Sequence, residues 1–268
     1  MIDLKFGLFW HGEEISYLRY ITFVTLRHFH PDCEIELYIP KNYSKENLEW
    51  REEKQDFQSN NIRTLIPINN MVDNLGVRVI EIDKFGEYPP NYQSDFFRWW
   101  WLNNNNGFYL DTDQIILKSF NSLGRDYNLI YSEYKSNSCG VYTPVGVIGS
   151  SGNSEIVSWA NDLLSQYYDK NDYNSVGPWM FRSLLHSRKW GDKIFNSGKE
   201  AFYPISESYM VPHIYNGDLK ENHLLFSYSL HWFGGHPESQ KFNEFYNKDF
   251  AISSNDSISV FLRGNNLL

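Results

Sequence analysis

The chain has 268 residues, enough for one large domain with a sizeable core, and its 41% hydrophobic and 21% charged residues describe a globular protein. A net charge of −9 leaves no electrostatic footprint for duplex nucleic acid or an anionic membrane surface. Two cysteines, Cys33 and Cys139, far apart and outside metal-ligand spacing, argue against a disulfide scaffold and fit a reducing, cytoplasmic setting.

Residues 4–10 read as a short buried strand, too brief in its apolar run for a signal peptide. No stretch of about eighteen apolar residues follows, so the sequence predicts no membrane span and any membrane contact is expected to be peripheral. A helix is predicted over 16–29, with Leu18, Ile21, Val24, Thr25 and His28 on one face. Pro31-Asp32 stops it, and 34–39 alternates as a second strand. Residues 43–58 read as a polar helix, and 59–75 as an asparagine-rich stretch of weak periodicity. A third strand spans 76–83. Pro89-Pro90 precedes a helix over 93–103, whose end in Asn103 to Gly107 suits the left-handed conformation that closes helices. The next strand is 108–116.

This alternation predicts an open, mostly parallel α/β sheet with ligands beyond the carboxyl ends of its strands, where Trp10, Asp83 and Asp111 fall. From residue 127 the pattern becomes α+β, with strands at 129–133, 145–149 and 202–205 and helices at 154–168 and 178–187. No linker stands out, so the whole chain 1–268 reads as one domain. Trp99, Trp100 and Trp101 cover most of a helix circumference and read as packing.

Two carboxylates, Asp111 and Asp113, sit on the strand 108–116. Alternate strand residues share a face, which would put their Cα atoms ~6.6 Å apart and on the same side. Like charges so close to apolar residues repel unless a cation separates them, and a hard divalent metal is the natural occupant. Asp95 and Arg98 are three apart on the preceding helix and share a face. Such a pair can grip sugar hydroxyls by charge-assisted hydrogen bonds, or form a plain intrahelical ion pair. No Gly-rich phosphate loop, zinc pair or serine-nucleophile motif occurs.

The run Ser94-Asp95-x-x-Arg98, an aromatic helix ending in an Asn/Gly tract, and Gly107-Phe108-Tyr109-Leu110-Asp111-Thr112-Asp113 resembles the Asp-x-Asp region of the sugar-binding glycosyltransferases, particularly glycosyltransferase family 32. That family is related to the catalytic domains of the large clostridial glucosylating toxins and shares the GT-A fold. The resemblance is strongest over 92–120. Weaker similarity appears at Phe9-Trp10, like the first strand whose aromatic stacks on the donor base, at 145–149, like the strand lining the sugar pocket, and at Gly177-Pro178, like the start of a helix beside the acceptor. His231-Trp232 resembles the late segment that folds over the pyrophosphate, although Gly234-Gly235-His236 departs from the usual pattern.

The resemblance implies a Rossmann-like open mixed sheet flanked by helices with an α+β C-terminal part, divided into a nucleotide-sugar half, 1–120, and an acceptor-side half, 121–268. It implies that Asp113 binds Mn²⁺ or Mg²⁺, with Asp111 reaching the metal and the ribose or sugar and His231 as a further ligand. Asp95 and Arg98 would hold donor sugar hydroxyls, while Phe9, Trp10 and Trp232 contact the donor and Gly177 and Pro178 the acceptor side. The activity implied is retaining transfer from a UDP- or GDP-sugar to a saccharide or other hydroxyl acceptor, by front-face displacement, in surface polysaccharide or glycan synthesis. Two alternatives stand beside it. One is a phosphotransferase of the haloacid dehalogenase type, which also carries Asp-x-Asp at a strand end. The other is a non-catalytic module that binds sugar nucleotides or glycans.

Overall fold

In the computed structural model, which describes residues 1–41, 64–136 and 140–268, seven strands hydrogen-bond in the order Ile194–Asn196, Leu129–Tyr131, Val147–Ser150, Gly107–Leu110, Lys5–Phe9, Glu34–Pro40, Arg78–Ile82. Val147–Ser150 runs antiparallel to both its neighbours, and the other pairings are parallel. The sheet is therefore mixed, with helices packed on both faces. Among the described residues no helix is long and apolar enough to cross a membrane.

Strand alternation sorts the side chains. Phe6, Leu8, Phe108 and Leu110 face one layer, where they pack with Phe23 and Leu26 of the helix Tyr17–Phe29. Phe9 and Tyr109 face the other, against Phe97, Trp99 and Trp101 of the helix Pro90–Asn104. This register matters for the site, because it turns the Tyr109 ring toward the same helix that carries Asp95 and Arg98. Gly7 lies on that face too, and the Trp101 ring occupies the space a side chain there would need. Trp99 and Trp101 are fully buried, as packing residues should be.

Several predicted elements take other forms. The strand expected over 108–116 is two strands, Gly107–Leu110 and Gln114–Ile116, with Asp111-Thr112-Asp113 as the turn between them. The first belongs to the main sheet, whereas the second leaves it to pair with Ser229–His231. The two carboxylates thus come together through a break in the strand, not through its two-residue repeat. Residues 65–75 form a short strand, Leu65–Pro67, and a helix, Ile68–Leu75, closed by Gly76 at φ 60°. The strand expected over 202–205 begins as the end of a helical turn, Lys199–Phe202. The predicted polar helix over 43–58 lies outside the described residues, as does Cys139. Three helices near the C-terminus, Pro237–Phe245, Lys248–Ser253 and Ser257–Gly264, add to the predicted elements and bury Phe242, Ala251, Ile258 and Leu262 against Tyr17, Leu18 and Trp232.

The Gly7 contact gives a direct test of the packing. A Cβ at Gly7 would lie 2.3 Å from Trp101 Cε2, so Gly7→Ala is expected to cost about 1–3 kcal/mol by overpacking. Gly86→Ala, whose Cβ meets nothing within 4 Å, should change urea stability by less than ~0.5 kcal/mol.

Candidate active site

The site forms where the strand Gly107–Leu110 ends against the helix Pro90–Asn104 and the segment after Ser229. Arg98, only 3% exposed, reaches Asp95 one turn back on its own helix and, through Nη2, Oδ1 of Asp111 at 3.0 Å. The Tyr109 hydroxyl donates to the same Oδ1 at 2.6 Å and lies 3.0 Å from Ser94 Oγ, while the Arg98 guanidinium stacks over the Tyr109 ring at 4.6 Å. One cation thereby joins two carboxylates contributed by different elements.

Asp111 is fixed from the other side by its backbone N–H, which donates to Gly146 O at 2.8 Å. A Cβ at Gly146 would stand 2.7 Å from Asp111 Oδ2 and 3.1 Å from the Tyr203 hydroxyl. Glycine at that position leaves room for this carboxylate.

Asp113 is buried, and its Oδ2 accepts the Gly234 N–H at 2.8 Å. His231 meets it because Ser229–His231 pairs antiparallel with Gln114–Ile116, placing His231 opposite Gln114. The His231 Nε2 to Asp113 Oδ1 distance is 3.2 Å. Phe233, at φ 53°, adopts a left-handed conformation that costs a non-glycine residue about 1–2 kcal/mol. That turn brings the Gly234 N–H onto Asp113, and the Phe233 ring packs edge-on against His231 at 4.4 Å. Thr112 holds the turn from beneath: its hydroxyl accepts from Arg19 Nη1 and its carbonyl from Thr22 Oγ1, both at 2.8 Å.

Burial raises the Asp95 carboxyl to about 6, although the Arg98 charge pulls the other way. For Asp113 burial also acts upward, but the charge of His231, then Arg19 and the Gly234 N–H, more than reverse it and hold the group far below the carboxylate range. Burial opposes the charged form of His231, and the Asp113 and Asp111 carboxylates overcome it to raise the imidazole above its ordinary value. Two carboxyl groups of the site are thus driven in opposite directions, Asp95 toward the acid and Asp113 toward the anion.

Asp111, Asp113 and His231 each offer a ligand atom, and the three lie within 4.8 Å of one another. Beyond their mutual ion pair, Asp113 Oδ1 and His231 Nδ1 are buried without a hydrogen bond. Two hard oxygens and an imidazole nitrogen, part of the set unsatisfied, fit a divalent cation.

Of the residues singled out in the sequence, Asp95, Arg98, Asp111, Asp113 and His231 converge. Gly177 adjoins them, since a Cβ there would sit 3.3 Å from Asp95 Oδ1, and Pro178 is buried beside it. Phe9 does not join them: its ring is buried against Phe97 at 5.3 Å as part of the core. Trp232 is likewise fully buried, so neither ring offers an open face to a donor. Trp10 is half-buried, its Nε1 donating to Glu14 O at 2.8 Å. Arg19, absent from the sequence reading, lies 5.1 Å from the ring centres of both Trp10 and Trp232 and braces the Asp-Thr-Asp turn. No local pattern flags it, because its partner Thr112 is 93 positions away.

Residues 26–130, which contain Asp95, Arg98, Asp111 and Asp113, match the family described as glycosyltransferase sugar-binding region containing DXD motif. Among solved structures the chain is similar to the PaToxG glycosyltransferase, at 20% identity and a TM-score of 0.53 over 69% of each chain. It is similar also to the glycosyltransferase GlyE of Streptococcus pneumoniae TIGR4, at 14% identity and a TM-score of 0.53, covering 98% of this chain and 63% of that one. The chain thus spans less than two thirds of GlyE. No curated protein matches it. The fold is that of these glycosyltransferases, and the region matched by the family carries the DXD motif as Asp111-Thr112-Asp113.

The Asp95 shift has a measurable sign. A carboxyl raised to about 6 binds its proton more tightly in the folded chain than in the unfolded one, so its stabilising contribution is present at acid pH and is lost as pH rises through about 6. Urea denaturation between pH 4.5 and 7 should show wild type losing stability relative to Asp95→Asn as pH rises. A constant difference between the two would contradict the raised value.

Proposed function

We propose that the chain transfers a sugar from a nucleotide-sugar donor, a UDP- or GDP-sugar, to a saccharide or other hydroxyl acceptor, with retention of anomeric configuration and dependence on Mn²⁺ or Mg²⁺. The observation that carries this reading is the convergence of Asp111, Asp113 and His231 within 4.8 Å, directly beside the buried Asp95–Arg98–Asp111 network.

Asp113, Asp111 and His231 would hold the divalent cation, with the imidazole favouring Mn²⁺ over Mg²⁺. When bound, the cation supplies positive charge to the diphosphate as the sugar–phosphate bond breaks. The protein's own groups do the rest. Arg98 holds Asp111 in place through the 3.0 Å ion pair, and Asp95 and Arg98 together present donors and acceptors suited to sugar hydroxyls. Gly146 leaves the space beside Asp111 open, and the half-buried Trp10 would stack on the nucleoside base.

Retention is the stereochemistry that the resemblance to family 32 implies, and the carboxylates bear on its route. Asp95 is tied to Arg98, and Asp111 to Arg98 and Tyr109, so neither is free to act as a covalent nucleophile. Retention without a covalent intermediate calls for a front-face displacement: the acceptor oxygen bonds to the anomeric carbon on the side from which the phosphate leaves, and the acceptor proton passes to the departing phosphate oxygen. We assign residues 1–120 to the donor half and 121–268 to the acceptor half of one domain. A role in surface polysaccharide or other glycan synthesis in the cytoplasm fits the cytosolic supply of nucleotide sugars.

The test is a screen of UDP- and GDP-sugars with Mn²⁺ for hydrolysis and thermal shift. At least one donor should be hydrolysed in a cation-dependent way, and Asp113→Asn should lower that rate roughly a hundredfold or more while the chain stays folded. An unchanged rate in the variant would remove the metal assignment.

A further inference from the structure

A concavity of about 500 Å³ is lined by Val141, Trp179, Arg182, Ser183 and His186, none of them a residue of the DXD cluster. Its size is within the range of small-ligand sites. It is joined to the DXD site through the chain. Gly177 abuts the Asp95 carboxylate, and Trp179 follows two residues later, which places the cavity wall within roughly 12 Å of that carboxylate. The backbone here is anchored, since Trp99 Nε1 donates to Val176 O at 2.8 Å and a helix, Met180–Ser187, starts immediately after Trp179.

The lining has a defined chemistry. His186 is matched, because its Nε2 lies 2.7 Å from Oε2 of Glu133, which also accepts the Thr143 hydroxyl at 3.2 Å. Arg182 is not. It is half-buried, and among the described residues its guanidinium makes no hydrogen bond, ion pair or ring contact. Trp179, also half-buried, is braced edge-on by Tyr142 at 5.9 Å and presents an apolar wall. The cavity therefore offers one unneutralised fork of N–H donors, a flat aromatic surface and the exposed hydroxyl of Ser183.

Guanidinium geometry matches carboxylate and phosphate oxygens two at a time, whereas a neutral ligand would leave that charge without a counterpart. An indole beside it suits the C–H face of a sugar ring. We propose that this cavity is the acceptor subsite and that it takes an anionic saccharide, one bearing a carboxylate or a phosphate, with Arg182 pairing the anion and Trp179 packing on the ring. The assignment rests on the glycosyl-transfer reading for its role and on Arg182 and Trp179 for its selectivity.

The experiment titrates the intact protein, without donor, with methyl β-D-glucuronide, glucose 6-phosphate, methyl β-D-glucoside and inorganic phosphate, following the Trp179 indole N–H by NMR, assigned with Trp179→Phe. At low salt, one or both anionic sugars should bind about tenfold or more tightly than the neutral glucoside, and whichever binds more tightly identifies the anion. Arg182→Gln, with its thermal midpoint retained, should erase the preference, and Arg182→Lys should keep part of it. Equal binding of the glucuronide, phosphate sugar and glucoside overturns the proposal, as does a preference that survives Arg182→Gln. Inorganic phosphate binding as well as glucose 6-phosphate would reduce the cavity to an anion site and overturn it too. Donor hydrolysis by the unaltered protein is scored separately: hydrolysis without anion preference removes this subsite alone, and anion preference without hydrolysis removes the transfer reading.

Discussion

A guanidinium buried between two carboxylates organises this molecule. Arg98 is almost wholly removed from water, and such a charge is tolerated only when paired and hydrogen-bonded. Its partners come from its own helix, through Asp95, and from the end of the central strand Gly107–Leu110, through Asp111 and Tyr109. The pairing therefore locks the helix Pro90–Asn104 to the carboxyl end of that strand in one register. It also fixes the first carboxylate of the DXD motif before any ligand arrives. Preorganisation of this kind is what an electrostatic catalyst requires, since charge already in place need not be reoriented as the reaction proceeds.

The second half of the site is assembled by a different device. The strand that would carry Asp113 onward leaves the central sheet and pairs with Ser229–His231. That exchange of sheets brings residues 113 and 231 together across the fold. The left-handed Phe233 then returns the chain so that a backbone N–H meets Asp113. Strain at one residue and a broken strand at another both serve the same cluster of donors, an instance of local rules yielding at a functional site.

Much of the first half was legible because its strands and helices alternate and each has a distinct period. The helix Tyr17–Phe29 and the strands Lys5–Phe9, Glu34–Pro40 and Arg78–Ile82 lie close to where their patterns place them. The break at Asp111–Asp113 is hidden in the sequence, since Phe108 to Leu110 and Ile115 to Ile116 look alike in hydrophobicity while belonging to different sheets. Residues 202–205 were misread for a related reason: a short apolar run fits a buried turn of helix as well as a strand. Asp95, Arg98, Asp111 and Asp113 were visible through spacing and resemblance. His231 depended on resemblance alone, and Arg19 on neither, because its importance arises from contacts that only the folded chain creates. The C-terminal helices did carry signals in their caps, with Asn247 and Asp256 each accepting a backbone N–H at a helix start, but no strong periodicity drew attention to them.

The central claim is that Asp111, Asp113 and His231 jointly hold one divalent cation. Electron paramagnetic resonance of the protein titrated with Mn²⁺ tests it most directly. The account predicts one tightly held ion per chain, with nitrogen hyperfine coupling that disappears in His231→Gln. Absence of a bound ion, or a bound ion with no nitrogen coupling in the unaltered protein, would contradict it.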